Sequence, residues 1–149
     1  MASAVTVEAV EEFLLNTLKR FSNLQAGEAE DALEELKGAV LHAEARLFGE
    51  AAKHPEWRGM GTTVTLAFAV NWMAFIAHAG DSRCYLLSEG GLRQVTRDHT
   101  LTAKLVRQGV LAAGGEAGHP RRHVVTNILG GDEPGVQVEL HRLDLRPDD

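Results

Sequence analysis

The chain has 149 residues, of which 44% are hydrophobic and 24% charged, and its formal net charge is −6. That length is one domain's worth and enough to bury a core, while the balance of charge excludes a disordered chain and argues against nucleic acid as a partner. No apolar run approaches the roughly 20 residues of a membrane helix, and the N-terminus lacks the basic-then-apolar layout of a signal peptide, so no membrane partner and a cytoplasmic location are expected.

Residues 3–21 place Val10, Phe13, Leu14, Leu18 and Phe21 three and four apart, the spacing of a helix with one buried face, and Ser3 or Thr6 could cap it. Residues 22–27 form a polar connection. The next helix, over about 28–53, carries Leu33, Leu36, Val40, Ala43 and Leu47 on one seam, with Glu28, Glu30, Asp31, Glu34 and Glu35 in its opening turns. Acid there suits the helix dipole and reads as a solvated start rather than a metal site. The seam covers about two heptads, short of a coiled coil, so a helix packed on a sheet is expected. Pro55 ends it.

Residues 59–100 read as a four-stranded antiparallel meander. Val64, Leu66, Phe68 and Val70 alternate as in a half-buried strand, Asn71 and Trp72 allow a tight turn, and residues 73–79 return. Residues 83–87 and 92–95 make two shorter strands around Ser88-Glu89-Gly90-Gly91. Thr100 is placed to cap a helix over 101–108 that stops at Gly109. Residues 110–123, with three glycines and Pro120, read as a mobile surface loop, and two final strands are expected over 124–129 and 136–145 around a glycine-rich turn.

Gly80-Asp81-Ser82-Arg83 sets a carboxylate, a hydroxyl and a guanidinium where one strand ends. An Asx-type turn capped by Asp81, with an Arg83 ion pair, accounts for it as simply as a functional corner does. Charge is uneven: residues 1–58 hold six Lys/Arg against eleven Asp/Glu, and residues 83–123 hold seven against three. The basic half suits an anionic phosphopeptide or is a solvated face. His119 and His123 match half of a zinc ligand set, without a cysteine pair to complete it. Cys84 reads as packed rather than reactive, and no arginine follows it at the spacing of a thiol-dependent phosphatase loop.

Taken together, MGTT at 60–63, AHAGDSRCYLL at 77–87, LRQVTRDHT at 92–100 and HPRRHVVTNILGG at 119–131 resemble the bacterial branch of the metal-dependent protein serine/threonine phosphatases, the type 2C family. The resemblance covers nearly the whole chain. It implies an α+β fold, an antiparallel sheet core with two N-terminal helices, as part of that family's α-β-β-α sandwich. It also implies hydrolysis of phosphoserine or phosphothreonine by a water activated between two Mg²⁺ or Mn²⁺ ions, with phosphorylated proteins as substrates.

The aspartates that hold those ions in the family lie in an early DGMGGH-like segment, a later SDG segment and a terminal DN pair, and this sequence holds none of the three. Residues 1–149 therefore read as a single, partial type 2C domain lacking the N-terminal and C-terminal metal-binding segments, inactive by itself and binding no ion tightly. The alternative is a noncatalytic scaffold that binds phosphopeptides or proteins. By resemblance Asp81 corresponds to a ligand of a weaker third metal, and Arg121, Arg122 and His123 fall in the flap that affects substrate choice; His123 stands where asparagine is more usual and Asn127 where arginine is common. No catalytic residue is assigned to this chain. Open sheet edges are expected to drive its self-association.

Overall fold

A computed structural model describes residues 1–17 and 26–149. Helix α1 spans Ala2–Thr17 and α2 spans Ala29–Lys53. The expected seam positions Leu18 and Phe21, and residues 22–25 of the connection, fall outside the described residues. Helix α1 starts at Ala2, so neither Ser3 nor Thr6 caps it; Thr6 is buried within the helix.

The α2 seam faces the core as its spacing requires. Leu36, Val40, Ala43 and Leu47 are buried, and removing a leucine of this kind from water is worth about 1.5–3 kcal/mol. Gly38 costs helix stability but admits α1: a Cβ there would stand 3.1 Å from Phe13 Cζ. The helix stops at His54 and a 3-10 turn, Pro55–Trp57, leads to the sheet.

Strands β1 (Gly61–Thr62), β2 (Val64–Val70) and β3 (Met73–Ala79) follow. The β2–β3 hairpin is in the expected register, Val70 opposite Met73, and its turn residues Asn71 and Trp72 have φ of 48° and 60°. Positive φ at both central positions is the turn whose twist matches the strands. Beyond this hairpin the expected meander fails. Among the described residues, strand β4 (Tyr85–Ser88) pairs only with β5 (Gly91–Gln94), and the free edge of β3 is taken by β7 (Glu139–Asp144), with Met73 opposite Asp144.

Gly80 is the reason. Its φ of 122° turns the chain out of the sheet, and a Cβ at this point would lie 2.3 Å from Thr63 Cγ2, so only glycine lets the corner close against β1 and β2. Thr100 caps α3 (Leu101–Arg107) by accepting from Ala103 N at 3.1 Å, and Gly109 ends it at φ 70°. Residues 110–123 form turns without a regular element.

The strand expected over 124–129 reduces to a bridge between Thr100 and Val125 and to β6 (Leu129–Gly130), which pairs with β1. The cause is Asn127, whose side chain donates to Gln137 O at 2.8 Å and accepts from Gln137 N at 2.9 Å, occupying backbone groups that a ladder would have used. Helix α2 lies over β3 and β7, which places the sheet core against the helical layer. No helix among the described residues is long and apolar enough to cross a membrane.

Candidate functional site

The corner at residues 80–83 leaves the sheet beside the segment 94–99 that returns from β5. Arg83 and Asp98 meet here: Arg83 Nε donates to both carboxylate oxygens, at 2.8 and 3.0 Å, and Gln94 Nε2 donates to Asp98 Oδ1 at 2.9 Å. The hydrogen bond from Arg83 holds the Asp98 carboxyl below its usual range, and the same contact raises the guanidinium. Arg83 thus pairs with Asp98 and not with Asp81. The expected Asx cap is also absent, because Asp81 is exposed and no described residue partners its carboxylate. Ser82 instead bonds Thr63 across 2.8 Å.

Behind the corner lies a histidine hub that the sequence did not reveal. His99 Nδ1 accepts from Gly80 N at 3.1 Å and from the Asn127 amide at 2.9 Å. With both donors aimed at Nδ1, the imidazole proton resides on Nε2, which donates to Glu139 Oε2 at 3.1 Å. Burial holds His99 below the ordinary histidine range, helped by the nearby His78 and opposed by Glu139. Burial pushes the Glu139 carboxyl up, but the His141 hydrogen bond and the charges of His141, Arg97 and His99 outweigh it and leave it low. His78 is buried, with Nε2 donating to Gly80 O and Arg97 O at 3.1 and 3.2 Å. Segments 78–80, 97–99, 127 and 139 are thereby fixed to one another.

This scaffold carries a cleft of about 870 Å³ between the Gly80 corner, α3 and residues 114–123. Asp81, Arg122 and His123 all line it, joined by Arg97, Arg107 and Glu116. Three of the four flap and corner residues singled out in the sequence therefore meet at one site. Arg121 does not line it; it is exposed, and its backbone N–H donates to His119 Nδ1 at 3.1 Å. That bond occupies a lone pair a zinc ion would need at His119. No described residue bonds the side chains of Arg122 and His123.

The profile of the family described as protein phosphatase 2C matches residues 3–128. The chain belongs to the protein phosphatase 2C family. It is 36% identical over 120 residues to the serine/threonine protein phosphatase PstP of Mycobacterium tuberculosis, a match covering 80% of this chain and 23% of that protein. It is 32% identical over 145 residues to the serine/threonine phosphatase stp of Listeria monocytogenes, covering 97% of this chain and 48% of that one. The chain thus spans half or less of the curated relatives it matches, and covers part of a protein phosphatase 2C domain. Its fold matches the crystal structure of Mycobacterium tuberculosis PstP/Ppp with a TM-score of 0.79, at 28% identity over 97% of this chain and 58% of that one. The catalytic domain of PstP in complex with two manganese ions matches at a TM-score of 0.73, at 28% identity over 97% of this chain and 55% of that one.

The donor set here does not fit such a two-metal centre. Among the described residues, no three of His, Cys, Asp and Glu are grouped to hold an ion. Of the three carboxylates that line the cleft, Asp98 is taken by Arg83, which leaves Asp81 and Glu116, whereas Mn²⁺ or Mg²⁺ takes about six oxygens.

Proposed function

We propose that this chain is the internal, substrate-facing part of a metal-dependent protein serine/threonine phosphatase, acting on phosphoserine and phosphothreonine in proteins in the cytoplasm. The observation that supports it is the cleft, which sets the unpartnered Asp81 carboxylate beside the unpartnered Arg122 guanidinium and the His123 imidazole in a chain of the protein phosphatase 2C family. Mn²⁺ or Mg²⁺ would supply the activated water and neutralise phosphate charge. No step through those ions is assigned to this chain, whose residues do not assemble their centre.

What the chain's own residues do follows from their charge and position. Arg122, a planar donor at the cleft mouth, suits the anionic face of a phosphopeptide, and His123 adds a second donor. Asp81 serves as one outlying ligand of a weakly held third ion, and Arg121 meets the substrate only outside the cleft. The His99 hub holds the corner and the flap at a fixed separation, so the cleft is built before substrate arrives.

The test is hydrolysis of a phosphothreonine peptide with excess Mn²⁺ by this chain, beside a version extended at both ends through the family's metal-binding segments. Turnover only in the extended protein is expected, and Arg122→Ala in it should raise KM more than it lowers kcat. Turnover in neither would favour a noncatalytic scaffold. Turnover by the chain alone would mean that its ligands have been misassigned.

A further inference from the structure

Strand β2 leaves one edge without a partner among the described residues, because its sheet runs β2-β3-β7. The phase of that edge follows from the hairpin. Val70 and Met73 flank a two-residue turn and so exchange both backbone bonds, which directs the N–H and C=O groups of Val64, Leu66, Phe68 and Val70 at β3. Thr65, Ala67 and Ala69 direct theirs outward.

The two edges of this sheet are guarded very differently. Strand β7 carries Glu139, His141, Arg142 and Asp144 within six residues, the charge that keeps an edge from pairing. Strand β2 reads VTLAFAV, with no charge and no proline over seven residues. Its alanines 67 and 69 are exposed and small, and the Val64, Leu66, Phe68 and Val70 row is only partly buried against the core. Helix α2 packs chiefly over β3, β6 and β7.

We propose that two copies of this chain associate antiparallel through their β2 edges, about a two-fold axis at Ala67. Centred there, Thr65 faces Ala69 of the second copy and Ala67 faces Ala67, giving three narrow pairs that exchange six backbone hydrogen bonds. Leu66 then opposes Phe68 and Val64 opposes Val70, all on the core face, so the half-covered apolar row of each copy closes on the other. The apolar pairs match in this register. The product is a continuous six-stranded sheet. One strand edge buries less than the roughly 800 Å² per partner of a standard interface, so the dimer dissociates on the order of 10–100 µM.

Sedimentation of the chain between about 5 and 500 µM is the test. The weight-average mass is expected to approach twice the monomer mass at the upper end. Ala67→Pro removes an outward N–H without touching the β2–β3 ladder, and Ala67→Lys sets two like charges on the axis; both should remain monomeric with unchanged far-UV circular dichroism. Should the proline variant unfold, the lysine variant, whose side chain starts from an exposed position, carries the test alone. Leu87→Lys, on the exposed Leu87–Leu92 pair of the β4–β5 hairpin, should leave the dimer intact. A monomer at every concentration, association that survives both Ala67 variants, or loss of the dimer in Leu87→Lys would each overturn the proposal.

Discussion

Gly80 and His99 hold each other by two opposed hydrogen bonds: Gly80 N donates to the His99 ring at 3.1 Å, and His99 N donates to Gly80 O at 2.8 Å. The carbonyl of His99 in turn accepts from Thr126 N at 2.7 Å and Thr126 Oγ1 at 3.0 Å. One residue therefore ties the strand-end corner to the flap's return.

Replacing His99 by alanine strands the Gly80 N–H, the Asn127 amide and one oxygen of Glu139 together. An unpaired buried group costs about 1–3 kcal/mol, and water entering the vacated space offsets part of the sum. The expected loss is about 2–3 kcal/mol, read from the urea midpoint at constant slope. His99→Gln, which can return one acceptor toward Gly80, should recover part of it.

Gly80→Ala should be at least as damaging, by about 3 kcal/mol, since it combines a positive φ with overpacking. Thr63→Ser should not rescue it. The added Cβ would still lie 2.4 Å from the Thr63 Cβ, which serine keeps. Thermal melting of the single and double variants decides this.

What the sequence disclosed and what it hid divide along chain separation. The α2 seam, the β2–β3 hairpin with its Asn71-Trp72 turn and the Thr100 cap are each written within a few residues, and periodicity or turn chemistry is enough to find them. The pairing of β3 with β7 joins residues 73 and 144, and no local pattern encodes it. Arg83 next to Asp81 suggested an ion pair, yet Asp98 meets the guanidinium because the return from β5 delivers it there. Glu44 carries no signal of its own in the sequence, yet it is buried and accepts from the backbone of Gly135 and Val136 at 3.1 and 2.9 Å, pinning the last turn to the helix. Charged residues spaced along a helix look alike in sequence, and only burial separates this one from its solvated neighbours.

Acid should destabilise the fold in two stages. His99 titrates below its ordinary value of 6.5 in the folded chain, so the unfolded chain takes up the proton first, and the stability His99 contributes is full above that value and falls as pH drops through it. Glu139, also lowered, contributes above 4.5 and loses that contribution as pH falls further. Urea midpoints should therefore decline between about pH 7 and 5 and again below about pH 4.5. His99→Gln should flatten the first decline and leave most of the second, since His141 and Arg97 still face Glu139.

Asp81 separates a role in binding from one in folding. Its carboxylate is exposed and unpartnered among the described residues, so Asp81→Asn should change stability by no more than about 0.5 kcal/mol. Removing the one unpaired acid of the corner should nonetheless abolish whatever Mn²⁺ uptake the chain shows. A single carboxylate provides too few oxygens for tight binding, so titration calorimetry should give a dissociation constant in the millimolar range for the unsubstituted chain. Micromolar affinity would mean that Glu116, on the same cleft, and backbone oxygens complete a site; Glu116→Gln would then weaken it as much as Asp81→Asn does.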